Sequence, residues 1–307
     1  MSSVLDRTLV RLLPAVPKPV VRRISNRYIA GSTLDDARRT VSKLNEQGKL
    51  GTIDILGEEF HQPDQARGMA REYDRVFDLI DRDGLDSNVS VKLTALGLKL
   101  SYRLCLENVE AVVEHAASSG NFVRIDMEDS SCTTDTLRIY RELRERGYEN
   151  VGVVLQARLK RTIRDVRELA DLRPNVRLCK GIYLEPPLTA YQDYQHVRDN
   201  FVLLHEALLA FGCYVGVATH DEWLIERALE RVNGMTAEEY EFQMLLGVRE
   251  LRGTKLVREG HRLRVYVPFG RHWYGYSLRR LQENPKIAGY IASDTIGRLL
   301  GGSPNGT

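Results

Sequence analysis

The chain has 307 residues, with 44 Lys plus Arg against 42 Asp plus Glu and a formal net charge of +2. That length suits one large domain or two small ones. The near-balanced charge excludes bulk nucleic-acid binding, which needs a basic surplus. The four cysteines, Cys105, Cys132, Cys179 and Cys213, form no C-x-x-C pair. A disulfide scaffold and a zinc ribbon are therefore excluded, and reduced thiols in a cytoplasmic compartment are expected.

The first thirty residues set Arg7, Arg11, Lys18, Arg22, Arg23 and Arg27 against Asp6, with Val4, Leu5, Leu9, Leu12 and Leu13 at roughly helical spacing. Pro14, Pro17 and Pro19 then interrupt the pattern. Three readings fit: a basic amphipathic helix on the inner face of a membrane, an organellar transit peptide, and a helical arm packed on the main domain. No apolar run reaches the ~20 residues that span a bilayer.

Leu34 to Gly48 reads as a helix with Gly48 as its stop. Short apolar runs then alternate with longer amphipathic stretches. The runs are Thr52–Gly57, Val89–Leu96, Phe122–Glu128, Val151–Ala157, Val176–Ile182, Tyr214–Thr219, Tyr240–Leu246 and Val265–Phe269, with starts 25 to 38 residues apart. Helices are expected between them, among them Gln65–Ile80, Leu104–Ser118, Thr133–Arg146, Gln192–Phe211 and Glu222–Val232. Eight strand–helix units predict an α/β fold, a TIM (βα)8 barrel, over a doubly wound open sheet. The G-x-G-x-x-G and P-loop fingerprints of the open-sheet rivals are absent. The division expected is a helical arm over 1–48 and the barrel over 49–307.

A barrel gathers its chemistry at the carboxyl ends of its strands. The polar residues there are Asp54, Lys92, Asp126 with Glu128, Gln156, Lys180 with Tyr183, Thr219 with His220, Gln243 and Tyr266. Strand alternation places Lys92, Arg124, Asp126 and Glu128 on the inward face. Inward charge requires a partner, either an internal ion pair, expected for Arg124, or a ligand, expected for Lys92 and Asp126. Beyond the last strand, Arg271-His272-Trp273-Tyr274 leads to Arg279, Arg280 and Glu283. The two arginines could clamp a small carboxylate, or lie on a salt-bridged surface helix with Glu283. The histidines form no close ligand pair, so no metal is expected, and no G-x-S-x-G elbow supports a serine hydrolase.

Seven segments carry a further resemblance, in order over roughly residues 50–290. They are Val89 to Leu96, Arg124-Ile125-Asp126-Met127-Glu128, Arg177-Leu178-Cys179-Lys180-Gly181-Ile182-Tyr183, Ala218-Thr219-His220, Glu241-Phe242-Gln243-Met244-Leu245, Arg264 to Gly270, and Arg279-Arg280-Leu281-Gln282-Glu283-Asn284. Together they resemble the FAD-dependent proline dehydrogenases of the single-function bacterial type. The chain departs from that family at Ser277, where larger apolar residues are common, and at Pro285, directly after Asn284.

The resemblance implies a distorted (βα)8 barrel with additional N-terminal helices. It implies oxidation of L-proline to Δ1-pyrroline-5-carboxylate, by hydride transfer to FAD N5 with electrons passed on to a quinone, in proline catabolism. It implies that Lys92, Arg279 and Arg280 hold the proline carboxylate and that Tyr266, Tyr183 and Leu245 pack on the ring. Arg177 would face the reactive edge of the flavin, and Asp126 would position Lys92 and the flavin through paired charge. Met127 through its backbone, Gln156, Lys180, Gly181, Ile182, Thr219 and His220 would contact FAD. Two rivals stand beside this reading: a barrel enzyme using Lys92 as a Schiff-base nucleophile on a small carboxylate, and a flavin- or carboxylate-binding protein without turnover.

Overall fold

The structure, a computed structural model, describes residues 27–57, 60–236, 238–274 and 277. Eight parallel strands close on themselves: β1 (Leu50–Ile55), β2 (Ser87–Val91), β3 (Val123–Ile125), β4 (Val151–Gln156), β5 (Asn175–Cys179), β6 (Tyr214–Ala218), β7 (Tyr240–Leu245) and β8 (Leu263–Phe269). Closure is made by β8 against β1, in a register running from Leu50 opposite Arg264 to Ile55 opposite Phe269. The helices are α1 (Leu34–Asn45), α2 (Pro63–Arg82), α3 (Tyr102–Ser118), α4 (Thr133–Glu145), α5 (Thr162–Glu168), α6 (Tyr194–Ala210), α7 (Glu222–Arg231) and α8 (Glu250–Arg258).

Strands β2, β3 and β5 stop three or more residues before the ends of their apolar runs, β5 at Cys179. β2 stops at Val91, and Thr94–Leu96 turns as a 3-10 helix ending on Gly97, whose φ of 98° only glycine adopts readily. β3 stops at Ile125. Beyond both strand ends, Glu128 accepts from the backbone N–H of Thr94 (3.0 Å) and from its hydroxyl (2.5 Å), tying the two segments together outside the sheet. Lys92 and Asp126 consequently sit just beyond their strands, at the rim.

Outward strand residues such as Ile53, Val91, Ile125 and Val217 are buried against the helices. Each buried Val, Ile or Leu contributes about 1.5–3 kcal/mol by leaving water. In α2, Met69, Tyr73, Val76, Phe77 and Ile80 recur every three or four residues and meet that layer. Helix α1 starts with a capping box, Thr33 and Asp36 each accepting from the other's backbone N–H. Its Ala37 and Val41 are fully buried, and the chain before it joins the sheet through the Ala30 N–H on the Pro268 carbonyl. The basic segment 1–26 lies outside the described residues.

The inward face is different in kind. A TIM barrel interior is usually filled by layers of branched apolar side chains. Here the strand register aligns Asp54 with Ser90, Ser90 with Arg124, Arg124 with Gly152, Arg177 with Gly216, and Gln243 with Arg264. Gly152 and Gly216 make this polar filling possible. A Cβ at Gly152 would meet the Arg124 guanidinium, and one at Gly216 would overlap the Gln243 amide.

Candidate functional site

At the carboxyl end of the barrel, four of the expected residues converge. Lys92 donates to Asp54 Oδ1 (2.7 Å) and to the Tyr266 hydroxyl (3.0 Å), and lies 3.5 Å from Asp126 Oδ2. Tyr266 donates to Asp126 Oδ2 (2.9 Å), and Arg177 donates to Asp126 Oδ1 (2.7 Å). Both cations also lie over the Tyr266 ring, Lys92 Nζ at 5.7 Å and Arg177 Cζ at 5.3 Å from its centroid.

Burial opposes the charge on Lys92, but Asp54 and Asp126 together hold its ammonium above the ordinary lysine range. Burial in turn raises the Asp54 carboxyl, with Lys92 pulling the other way. A Lys92 Nζ that donates to Asp54 and Tyr266 and is held above the ordinary lysine range is a poor nucleophile, which counts against the Schiff-base alternative.

Sequence reasoning placed Asp54 at a strand end but gave it no role. Its strand-end position, 38 residues from Lys92, was the available signal. It also missed the support behind Arg177. Arg177 Nε donates to Gln243 Oε1 (2.5 Å) and its Nη1 to the Ser90 hydroxyl (3.1 Å). Gln243 Nε2 then donates to Glu241 Oε1 (2.6 Å), which also accepts from Arg264 Nε (2.8 Å). Thus a continuous line of bonds runs from the rim to the opposite end of the barrel.

A second group forms the rim over β4 to β7. Gln156 is buried and donates to the carbonyls of Met127 (3.2 Å) and Glu128 (2.8 Å). Gly181, at φ 92°, runs against it so closely that a Cβ would lie 2.8 Å from Gln156 Oε1. Ile182 is exposed beside it, and the Tyr183 carbonyl accepts from Arg158 (3.1 Å). Lys180 pairs with Asp221 (3.2 Å), which also takes both forks of Arg198 (2.8 and 2.7 Å). Those donors, with Tyr194, hold Asp221 well below the usual carboxylate range despite the opposing effect of burial. Thr219 accepts from the Asp221 N–H (3.2 Å), and His220 Nε2 accepts from the Leu245 N–H (2.9 Å). That bond places any proton of a neutral His220 ring on Nδ1.

Two expectations are corrected. Arg124 belongs to no ion pair among the described residues: it donates to the Val153 and Asn175 carbonyls (3.0 and 2.5 Å) and to the Asn175 side chain. Glu128 faces the Thr94 turn rather than the barrel axis. Both follow from register and strand length, which alternation alone leaves open. Arg279 and Arg280 lie outside the described residues. Ser277 is buried, and its hydroxyl donates to the Trp273 carbonyl (2.7 Å). Among the described residues no group of acids, histidines or cysteines could hold a metal.

A closed (βα)8 barrel with a paired-charge cluster on its carboxyl-end rim is the architecture of a barrel enzyme. The chain belongs to the proline dehydrogenase family, whose profile matches residues 37–292, and it is an oxidoreductase of that family. It is 39% identical to proline dehydrogenase 1 of Bacillus subtilis subsp. natto over 87% of this chain and 89% of that one. It is 37% identical to the proline dehydrogenase of Deinococcus radiodurans, over 89% and 90% respectively. The structure of proline utilization A from Bdellovibrio bacteriovorus superposes with a TM-score of 0.80 at 25% identity, over 89% of this chain and 34% of that longer one.

Proposed function

We propose that the carboxyl-end rim oxidises L-proline to Δ1-pyrroline-5-carboxylate with FAD as the resident acceptor and a quinone as the next carrier. The observation that carries this reading is the Lys92–Asp54–Asp126–Arg177–Tyr266 cluster, a fixed cation beside an aromatic face. Lys92, with Arg279 and Arg280, would hold the proline carboxylate, and Tyr266, Tyr183 and Leu245 would bound the ring. Two guanidinium forks and an ammonium fix such a ring in one orientation.

The residues fit a flavin. Gly181 keeps the loop flat against Gln156, Ile182 offers an apolar surface, and Lys180, Thr219 and His220 supply polar groups around them. Met127 contributes its backbone. Bound FAD would supply the two-electron acceptor, with N5 taking hydride from the ring carbon next to nitrogen. Arg177, only 7% exposed, would place positive charge where negative charge develops. Asp126 bonds Arg177 and Tyr266 and faces Lys92, so its role is to orient all three.

The proline amine must be neutral before its neighbouring C–H bond breaks, so turnover should rise with pH towards the amine's effective pKa. The deciding experiment is anaerobic addition of L-proline to the yellow protein. Loss of the oxidised-flavin absorption supports the reading. A spectrum that shifts without bleaching identifies a binder without turnover and defeats it. No described helix is long and apolar enough to cross a membrane. The basic start would instead dock the enzyme on anionic lipid near its quinone, an idea that fails if deletion of residues 1–30 leaves liposome binding unchanged.

A further inference from the structure

At the carboxyl end, the loop after β5 (residues 180–193) runs beside the loop after β4 and is bonded to it closely. The Lys160 N–H donates to the Thr189 carbonyl (3.0 Å), and the Tyr191 N–H donates to the Arg158 carbonyl (2.9 Å). The Lys160 ammonium donates to the Pro187 carbonyl (2.7 Å). On the other side, Glu185 accepts from both the N–H and the hydroxyl of Ser130 (2.6 and 2.5 Å). These bonds fix the loop's shape from both flanks.

Its side chains alternate along the extended part. Tyr183 and Glu185 are half-buried, while Ile182 and Leu184 are exposed. A turn follows, in which the Thr189 and Ala190 N–H groups both donate to the Pro186 carbonyl, and it carries Leu188 outward. Leu184 is 94% exposed and Leu188 is 92% exposed, more than any other large apolar side chain among the described residues. A leucine on a slack loop can turn back onto the protein. These two are held out in water by a bonded backbone, which is unfavourable until an apolar surface meets them.

The neighbouring charges identify that surface. Residues 158–168 hold Arg158, Lys160, Arg161, Arg164 and Arg167 against Asp165 and Glu168. Asp165 is buried on Arg161 (2.9 Å), and Glu168 meets Arg164 (3.5 Å), which leaves a surplus on Arg158, Lys160 and Arg167. A second copy of this chain would bring the same surplus against the first and be repelled. An anionic bilayer accepts both features, leucines between its headgroups and cations on its phosphates. We propose that the paired loops after β4 and β5 are the surface by which the barrel docks on anionic lipid, Leu184 and Leu188 entering the acyl boundary while Lys160 and Arg167 lie on the headgroups. The same loop carries Lys180, Gly181 and Ile182, so docking turns the flavin mouth towards a quinone dissolved in the bilayer. That consequence rests on the flavin reading above; the docking itself does not.

Cosedimentation of the full chain with vesicles tests this. The parent should bind vesicles of phosphatidylcholine with phosphatidylglycerol at least about tenfold tighter than vesicles of phosphatidylcholine alone. Leu184→Ser combined with Leu188→Ser should weaken binding to the anionic vesicles at least about tenfold, with circular dichroism and unfolding midpoint unchanged. Lys160→Gln combined with Arg167→Gln keeps both leucines and should reduce the preference for anionic vesicles about tenfold, which tests the surface even if the leucine pair fails to fold. None of these measurements depends on turnover, so loss of the flavin reading would leave them intact. Equal binding of the two vesicle types by the parent, or no binding of either, would overturn the proposal. So would anionic-vesicle binding by the leucine pair within about twofold of the parent, which assigns docking to another part of the chain. A parent that sediments as a dimer, made monomeric by the leucine pair, would overturn it in favour of self-association.

Discussion

The two mouths of the barrel are built from the same residue types and use them differently. At the carboxyl end the central cluster pairs its charges: Lys92 has Asp54 and Asp126, and Arg177 has Asp126. At the amino end Arg264 pairs with Glu241 at 2.8 Å, while Arg124 rests on neutral carbonyls. Balanced charge fixes side chains in advance of a ligand, which suits a reaction site. Gln243 connects the two, its amide orientation set by Arg177 on one side and Glu241 on the other.

That contrast can be broken most severely at Arg177. Arg177→Met removes the positive group at the rim and leaves Asp126 without its guanidinium, and kcat should fall by about 10²–10³-fold, the usual loss for one preorganised electrostatic group. Rapid-mixing measurement of flavin reduction checks this. A rate within threefold of the parent would separate Arg177 from the chemistry.

A smaller effect is expected where the mouths are joined. Gly216→Ala drives a methyl group into the Gln243 amide and disrupts the line from Arg177 to Glu241. Overpacking of this kind costs about 1–3 kcal/mol, to be read from denaturant unfolding together with a reduced kcat. Loss of stability with undiminished kcat would show that the lower barrel does not support the rim.

The mildest test concerns the rim's outer edge and depends on pH. The folded pKa of Asp221 lies below its unfolded value near 3.9. Its stabilising contribution is therefore present above about pH 4 and disappears as pH falls further, through the folded value. Asp221→Asn should unfold with a shallower acid dependence below about pH 4, the slope differing by at most ~1.4 kcal/mol per pH unit. Parallel curves for parent and variant would mean that Lys180 and Arg198 do not hold the carboxylate in solution.

Much of this was legible in the linear sequence. Alternation in Ser90-Val91-Lys92 and Arg124-Ile125-Asp126 separated a helix-facing side from a lumen-facing side, and the structure places Arg124 and the neighbouring rim groups on the lumen side. The partners were not legible. Asp54 in Thr-Ile-Asp-Ile reads like any strand-end carboxylate, and only closure brings it to Lys92. Arg124 was expected to find an acid, but Gly152 beside it opens the space that lets it reach Asn175 and the Val153 carbonyl. Glu128 shares its alternation face with Asp126, yet β3 ends before it and Thr94 captures it.

Period two in the strands, period 3.6 in the helices and eight repeats of the pair are properties of the backbone, and the sequence by itself determined them. It also placed polar residues on the inward faces of β2 and β3. Which polar group meets which was decided by tertiary structure. Asp126 and Tyr266 are 140 residues apart, and Arg264 reaches the Gly51 carbonyl across 213 residues. Such pairs exist only once β8 closes on β1 in one register, because a charge inside a barrel takes its partner from the strand that closure sets opposite it.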